Sequence, residues 1–158
     1  MEHIHWYPGH IAKAEKKLKE QVNIVDVVIE VLDARIPESS TYPDIEKLLR
    51  DKPRLILMNK SDLANNKKTQ KWLKTIKEKT NCPVLATSAS DNKDLSKILN
   101  KVIELGQPKI IALVKKGLLP RAVRVMVVGM PNVGKSSIIN KLIKKTKAKT
   151  GAKAGVTR

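Results

Sequence analysis

The octapeptide GMPNVGKS at positions 129–136 constrains the fold of this chain more than any other feature. It fits the pattern G-x4-G-K-[ST], follows the apolar run VRVMVV at 123–128 and precedes a segment of helical composition. Glycines let backbone N–H groups curl around phosphate oxygens, and the N-terminus of the following helix adds its dipole. The octapeptide therefore predicts a phosphate-binding loop at a strand-to-helix turn.

Each polar residue of this loop has an expected task. Lys135 is placed to reach the β- and γ-phosphates of a nucleotide, and Ser136 to ligate Mg²⁺. The alternative is an ordinary glycine-containing turn between a strand and a helix. The residues predicted to contact phosphate are Asn132, Val133, Gly134, Lys135, Ser136 and Ser137.

The rest of the chain alternates between two kinds of segment. Apolar, β-branched runs predict buried strands at 25–32, 54–58, 84–87 and 123–128. Helices are predicted at 10–22, 42–50, 67–79, 93–105 and 135–145. This alternation predicts an α/β fold: the three-layer P-loop NTPase fold with a mostly parallel sheet and right-handed crossovers. Segment 106–120, with two glycines and two prolines, is expected to be a connection, and the Lys-rich segment 141–153 to be mobile.

The tetrapeptide Asn59-Lys60-Ser61-Asp62 predicts which nucleotide base the site recognises. It directly follows the predicted strand at 54–58, and ligands of open α/β sheets bind where parallel strands end. The Asp62 carboxylate can accept hydrogen bonds from the ring N–H and the exocyclic amine of guanine, a pair that adenine lacks. Asn59 and the stem of Lys60 would brace the loop and cover the base. An NKxD tetrapeptide is weak evidence alone and strong evidence beside a phosphate loop.

Two further segments extend the predicted site less securely. Thr87-Ser88-Ala89-Ser90 follows the third strand and looks like the loop in which a backbone N–H near Ala89 meets the guanine carbonyl, although a simple serine turn is nearly as good an explanation. Thr157 lies about twenty residues after Lys135, where a threonine that ligates Mg²⁺ and senses the γ-phosphate is expected. Its alternative is an ordinary loop threonine.

The charge of the chain indicates a polyanionic partner. Lys and Arg total 32 against 15 Asp and Glu, a formal net charge of +17. Such an excess attracts polyanions through counterion release, and RNA, DNA and an anionic membrane all qualify, unless it is only a solvated lysine-rich surface. Aromatic residues make up 3% of the chain, which argues against a base-stacking platform. No apolar run reaches the ~18 residues of a membrane helix, and the single cysteine excludes a disulfide framework.

The order of these motifs identifies a resemblance. The sequence runs NKxD, SAS, phosphate loop, threonine, whereas ordinary GTPases begin with the phosphate loop, so the chain resembles the circularly permuted GTPases. The further matching residues belong to three short segments at 6–14, 33–37 and 120–122, with the sequences WYPGHIAKA, DARIP and PRA. Within the family, it is most similar to the bacterial large-ribosomal-subunit assembly GTPases. The expected domains are an N-terminal segment, 1–22, and a permuted GTPase domain, 23–158.

The resemblance implies an activity, cofactors and partners. It implies GTP hydrolysis to GDP, with Mg²⁺, by a monomeric cytoplasmic factor that binds rRNA and large-subunit precursors and no membrane; a mitochondrial or plastid counterpart remains open. It implies that His10 substitutes for the usual catalytic glutamine, against the alternative of a structural histidine. It also implies that Asn132 coordinates K⁺ beside the phosphates.

The sequence departs from the family pattern after Thr157. No DxxG motif follows, so the fold is expected to be incomplete at its C-terminus, both strands that normally flank the phosphate-loop strand to be missing, and nucleotide to be bound weakly and hydrolysed poorly. Two other functions stay open. The chain could be a basic RNA-binding module with an idle nucleotide site, or a P-loop ATPase or kinase with an accidental NKxD.

Overall fold

The computed structural model of the chain describes residues 9–88 and 92–154, with side chains for 13–88 and 94–147. The helices and strands alternate along the chain, as predicted from the apolar runs. No helix in these described ranges is both long and apolar enough to cross a membrane. The elements are α1 Gly9–Val22, β1 Val27–Asp33, α2 Ile45–Leu49, β2 Arg54–Asn59, α3 Asn66–Thr80, β3 Val84–Ala86, α4 Asn92–Lys115, β4 Val125–Val128 and α5 Lys135–Ala154.

The four strands form one parallel sheet in the order β3-β2-β1-β4. β1 and β2 occupy the centre, and every residue of both is buried. Such continuous burial explains why these strands read as unbroken apolar runs rather than as alternating patterns. The predicted α/β class and parallel sheet are confirmed.

Helices cover both faces of the sheet, so the fold has three layers. Odd-numbered residues of β1 and β2, such as Ile29 and Leu57, pack against Ile98 of α4 and Ile138 of α5. Even-numbered residues face the other layer, where Val28 packs with α1 and α2, and Leu32, Ile56 and Met58 pack with α3. The side-chain period of two in a strand produces this division, because successive residues point to opposite faces.

The prediction of a connection at 106–120 is wrong, since α4 continues to Lys115. Gly106 lies inside this helix for a packing reason. A Cβ atom at Gly106 would lie 2.4 Å from Cγ1 of Val123, so only glycine permits the helix to approach the segment before β4 this closely. The helical propensity lost at Gly106 and Pro108 is overridden by tertiary contacts.

α5 continues through the Lys-rich segment to Ala154, beyond its predicted end at 145, and the mobility of that segment stays a prediction. The expectation that the phosphate-loop strand has no flanking strand is wrong. β4 does not lack both neighbours, because it pairs in parallel with β1, with Glu30 opposite Val128. Among the described residues, β4 has no strand on its other side.

An ion cluster closes the amino end of the sheet. The Asp26 side chain is fully buried and accepts hydrogen bonds from Arg121 at 2.6 and 3.0 Å and from the backbone N–H of Arg124 at 2.8 Å. Lys109 of α4 lies 2.9 Å from the same carboxylate. Arg121, together with the Arg124 N–H and Lys109, holds the pKa of Asp26 well below its ordinary value. Asp26 therefore fixes α4 and the start of β4 to the start of β1.

Asp26→Ala is expected to lower the free energy of unfolding by about 2–4 kcal/mol, because it leaves two cations and a backbone donor without their acceptor. Urea unfolding measures this, with Asp44→Ala as the control, since among the described residues the only ion pair of Asp44 is with the exposed Lys47. A folded pKa below the unfolded one gives stability that is complete above the ordinary Asp pKa and is lost as the pH falls through the acid range. An Asp26→Ala protein as stable as the Asp44→Ala protein would contradict this role.

Candidate nucleotide-binding site

The predicted motifs meet at the carboxyl edge of the sheet. The four strands are parallel, so the segments that follow them emerge on the same side. The DARIP segment begins at the end of β1, NKSD begins at the end of β2, Thr87-Ser88 follows β3, and the phosphate loop follows β4. Loops that lie far apart in the sequence thus become neighbours.

The phosphate loop has the backbone conformation that its glycines suggested. Gly134 has a φ of +98°, and Asn132 is left-handed at +64°. A Cβ atom on Gly134 would lie 2.3 Å from Nδ2 of Asn59, so a side chain there would fill the space that the base-recognition loop occupies. α5 begins at Lys135, which places a helix N-terminus behind the loop.

The Lys135 side chain folds back onto the start of the phosphate loop. Its ammonium donates to the carbonyls of Gly129 and Met130, both at 2.8 Å. Partial burial lowers the pKa of Lys135 from its ordinary value. The next residues, Ser136 and Ser137, are exposed in the first turn of α5. The arrangement offers an ammonium, hydroxyls and a helix N-terminus to an anion.

The base-recognition loop is bonded directly to the phosphate loop. Asn59 is buried, and its Nδ2 donates to the Val133 carbonyl at 2.9 Å. Its Oδ1 is the one buried side-chain polar atom in the described part of the chain without a hydrogen-bond partner. Lys60, left-handed at a φ of +62°, donates from Nζ to the Asn132 carbonyl at 2.5 Å. These bonds make the two motifs one structural unit.

Asp62 lies in the short 3₁₀ turn Ser61–Leu63 and is exposed. The Ser61 N–H donates to the Thr87 carbonyl at 3.1 Å, which brings this turn beside the segment after β3. There the Ser88 N–H donates to the Asp94 carboxylate of α4 at 3.3 Å. An acceptor pair on Asp62 is thus available at the same edge as the phosphate loop.

Asp33 is the residue whose place in the site the sequence did not predict. It is buried at the end of β1, and its carboxylate accepts a hydrogen bond from Arg35 Nη2 at 2.7 Å. Nζ of Lys60 lies 3.2 Å from the same carboxylate. The hydrogen bond from Arg35, together with the contact from Lys60, holds the pKa of Asp33 well below its ordinary value. Arg35 is thereby held in a local carboxylate pair. The signal available in the sequence was the position of DARIP after a buried strand.

Three predicted site residues are not tested by these contacts. Ala89 and Thr157 lie outside the described residues. His10 lies in the first turn of α1, and its side chain is outside the described part. The residues that the structure brings together are Asn59, Lys60, Asp62, Ser88, Asn132, Val133, Gly134, Lys135, Ser136 and Ser137.

Two protein-family models match the chain in separate stretches. One, described as 50S ribosome-binding GTPase, matches residues 124–158 and includes the phosphate loop. The other, described as ferrous iron transport protein B, matches residues 11–113 and includes the NKSD tetrapeptide. The division places the phosphate-loop match after the base-recognition match, in keeping with the rotated motif order.

Curated and solved relatives match most of the chain. Ribosome biogenesis GTPase A of Bacillus licheniformis is 46% identical over 154 residues, covering 98% of this chain and 54% of the relative. Mitochondrial ribosome-associated GTPase 1 of Mus musculus is 40% identical, and the match covers 97% of this chain and 48% of the relative. A GDP-bound structure of TM YlqF matches with a TM-score of 0.58 and 32% identity, covering 82% of this chain and 48% of that one. The chain spans about half the length of the curated relatives it matches. It belongs to the circularly permuted P-loop GTPases, in the branch that contains ribosome biogenesis GTPase A.

Proposed function

We propose that this chain binds GTP and GDP at the carboxyl edge of its sheet. The observation that carries the proposal is the pair of bonds from Asn59 to Val133 and from Lys60 to Asn132, which join the base-recognition loop to the phosphate loop. A guanine nucleotide has its base and its phosphates at opposite ends, and a joined pair of loops matches both.

The residues present fit a nucleotide with Mg²⁺. The unpartnered Oδ1 of Asn59 leaves an acceptor for a ligand at the base-recognition loop, and Gly134, which has no Cβ, lets the Asn59 side chain lie against the phosphate loop. Asp62 would accept from guanine, supported by Lys60, Ser88 and Ala89, and the phosphate-loop residues 132–137 would hold the phosphates. Mg²⁺, which neutralises phosphate charge, would be held by Ser136 and Thr157, and K⁺ by Asn132.

We also propose that the chain hydrolyses GTP and that His10, in segment 1–22 ahead of the GTPase domain 23–158, orients the attacking water. A neutral imidazole can accept a proton or a hydrogen bond near pH 7. His10→Ala is expected to lower the GTP turnover rate, which is itself expected to be slow in this chain, on the order of 10- to 100-fold, with GDP affinity nearly unchanged. Phosphate release measures turnover, and His3→Ala and His5→Ala are the matched controls. Equal rates for all three variants would remove His10 from catalysis.

The partner we propose is rRNA in the precursor of the large ribosomal subunit. Two observations support it: the net charge of +17, and the ribosomal names of two relatives, ribosome biogenesis GTPase A and mitochondrial ribosome-associated GTPase 1. With few aromatic residues, the contact would rest on phosphates and RNA shape. The proposed state is a monomer acting in the bacterial cytoplasm, and an organelle counterpart is the alternative.

Nucleotide-dependent binding to large-subunit precursor particles tests this function. We expect co-sedimentation with a non-hydrolysable GTP analogue to be about tenfold tighter than with GDP, because a switch must favour one nucleotide state by a differential affinity. Raising the salt concentration from 50 to 200 mM should weaken particle binding with the GTP analogue and with GDP, because binding releases counterions. Binding that is equal with the GTP analogue, with GDP and without nucleotide would favour the basic RNA-binding module with an idle site.

A further inference from the structure

One buried carboxylate, Asp33, lies where three loops of the site meet. Besides the Arg35 side chain, it accepts the Arg35 backbone N–H at 3.0 Å. Its own N–H donates to the Ser40 hydroxyl at 2.9 Å, and this hydroxyl donates to the Pro37 carbonyl at 3.0 Å. The whole DARIP turn is therefore built around Asp33.

Lys60 joins this turn to the phosphate loop. Its ammonium reaches Asp33 at 3.2 Å on one side and the Asn132 carbonyl at 2.5 Å on the other. Both Lys60 and Asn132 have left-handed backbone conformations. Such conformations are unfavourable for residues other than glycine and persist only where surrounding contacts stabilise them. A lysine side chain is flexible, so a fixed counterion decides which of its rotamers is populated.

The position of Asp33 makes it suitable as that counterion. Its side chain is 5% exposed against 26% for Lys60, so it is the better-fixed member of the pair. β1 and β2 are adjacent, with Asp33 opposite Asn59 in the register, so the carboxylate lies beside the start of the base-recognition loop. No other carboxylate among the described residues forms an ion pair with Lys60.

We propose that Asp33 is a positioning residue for guanine nucleotide, which holds the Lys60 ammonium against the phosphate loop and so keeps the base-recognition loop and the phosphate loop in register. The inference rests on the proposed nucleotide site. It differs from a purely local role, in which Asp33 would only cap the DARIP turn through the Arg35 N–H. The two roles depend on different properties of the side chain: the cap needs an oxygen, and the pairing needs the charge.

Asp33→Asn separates the two roles, because Asn keeps an oxygen for the Arg35 N–H and lacks the charge. We expect the Kd for mant-GDP, followed by fluorescence titration of the chain, to rise about tenfold in Asp33→Asn and by the same factor in Asp33→Ala. Arg35→Ala is the control, expected to bind within about twofold of the unchanged chain because Lys60 keeps its partner. A normal Kd in Asp33→Asn with a raised one in Asp33→Ala would show the local cap and overturn the proposal.

A double-mutant cycle with Lys60→Met provides the readout that a general loss of structure would not produce. If Asp33 acts through Lys60, Asp33→Asn should change the Kd by less than about twofold in the Lys60→Met background. A full tenfold loss in that background would overturn the proposal. Should the Asp33 variants fail to fold, Lys60→Met alone still tests the pair, and an unchanged Kd would contradict it. Failure of the unchanged chain to bind mant-GDP would instead overturn the proposed function, and this inference with it.

Discussion

Asp62→Asn is expected to lower the affinity for GDP on the order of 100-fold or more and to raise the affinity for the xanthine nucleotide. The carboxylate would accept two guanine N–H groups, and a charge-assisted hydrogen bond contributes about 1.5–3 kcal/mol. The Asn side chain keeps one acceptor and presents an N–H₂ group in place of the other, which matches the carbonyl that xanthine has at that position. Competition of GDP, XDP and ADP against mant-GDP measures the change.

The control for this variant is Asp51→Asn, which makes the same change of charge at an exposed position in the turn before β2. It should leave all three affinities unaltered. An unchanged GDP affinity in Asp62→Asn would refute guanine reading by Asp62 and favour the P-loop ATPase or kinase with an accidental NKxD.

Gly134→Ala is expected to remove measurable GDP binding, with a loss of about 100-fold or more in affinity, and to lower the free energy of unfolding by about 2–4 kcal/mol. The added Cβ would lie 2.3 Å from the Asn59 side chain, and the backbone φ of +98° disfavours any residue with a Cβ. Both motifs would be displaced together, because Asn59 is itself bonded to Val133. Mant-GDP titration and urea unfolding measure the two effects.

Gly117 provides the matched control for backbone strain. Its φ is +84°, and a Cβ atom there would meet nothing within 4 Å. Gly117→Ala should therefore cost only about 1–2 kcal/mol of stability, with GDP affinity kept within about twofold. If Gly134→Ala binds GDP as well as Gly117→Ala does, the close packing of the two loops is not needed for binding.

Local sequence was sufficient for the elements and motifs that depend on local rules. The strands at β1 and β2 were predictable because both faces are buried, so their apolar runs are continuous. The phosphate loop and NKSD were predictable because each requires particular residue types at fixed spacing. The full length of α4 was not, because Gly106 and Pro108 usually end helices, and the contact with Val123 that favours glycine is distant in the sequence.

The site divides in the same way. By itself the sequence determined the chemistry available: an ammonium and hydroxyls for phosphate, a carboxylate for guanine, and an excess of positive charge for a polyanion. Only the tertiary structure decided that Asp33 holds Lys60, that Asn59 is bonded to Val133 and that Asp26 gathers Arg121 and Lys109. Parallel strand pairing creates these contacts by bringing loop ends together across 27 to 95 residues of chain, a separation over which no local spacing rule acts.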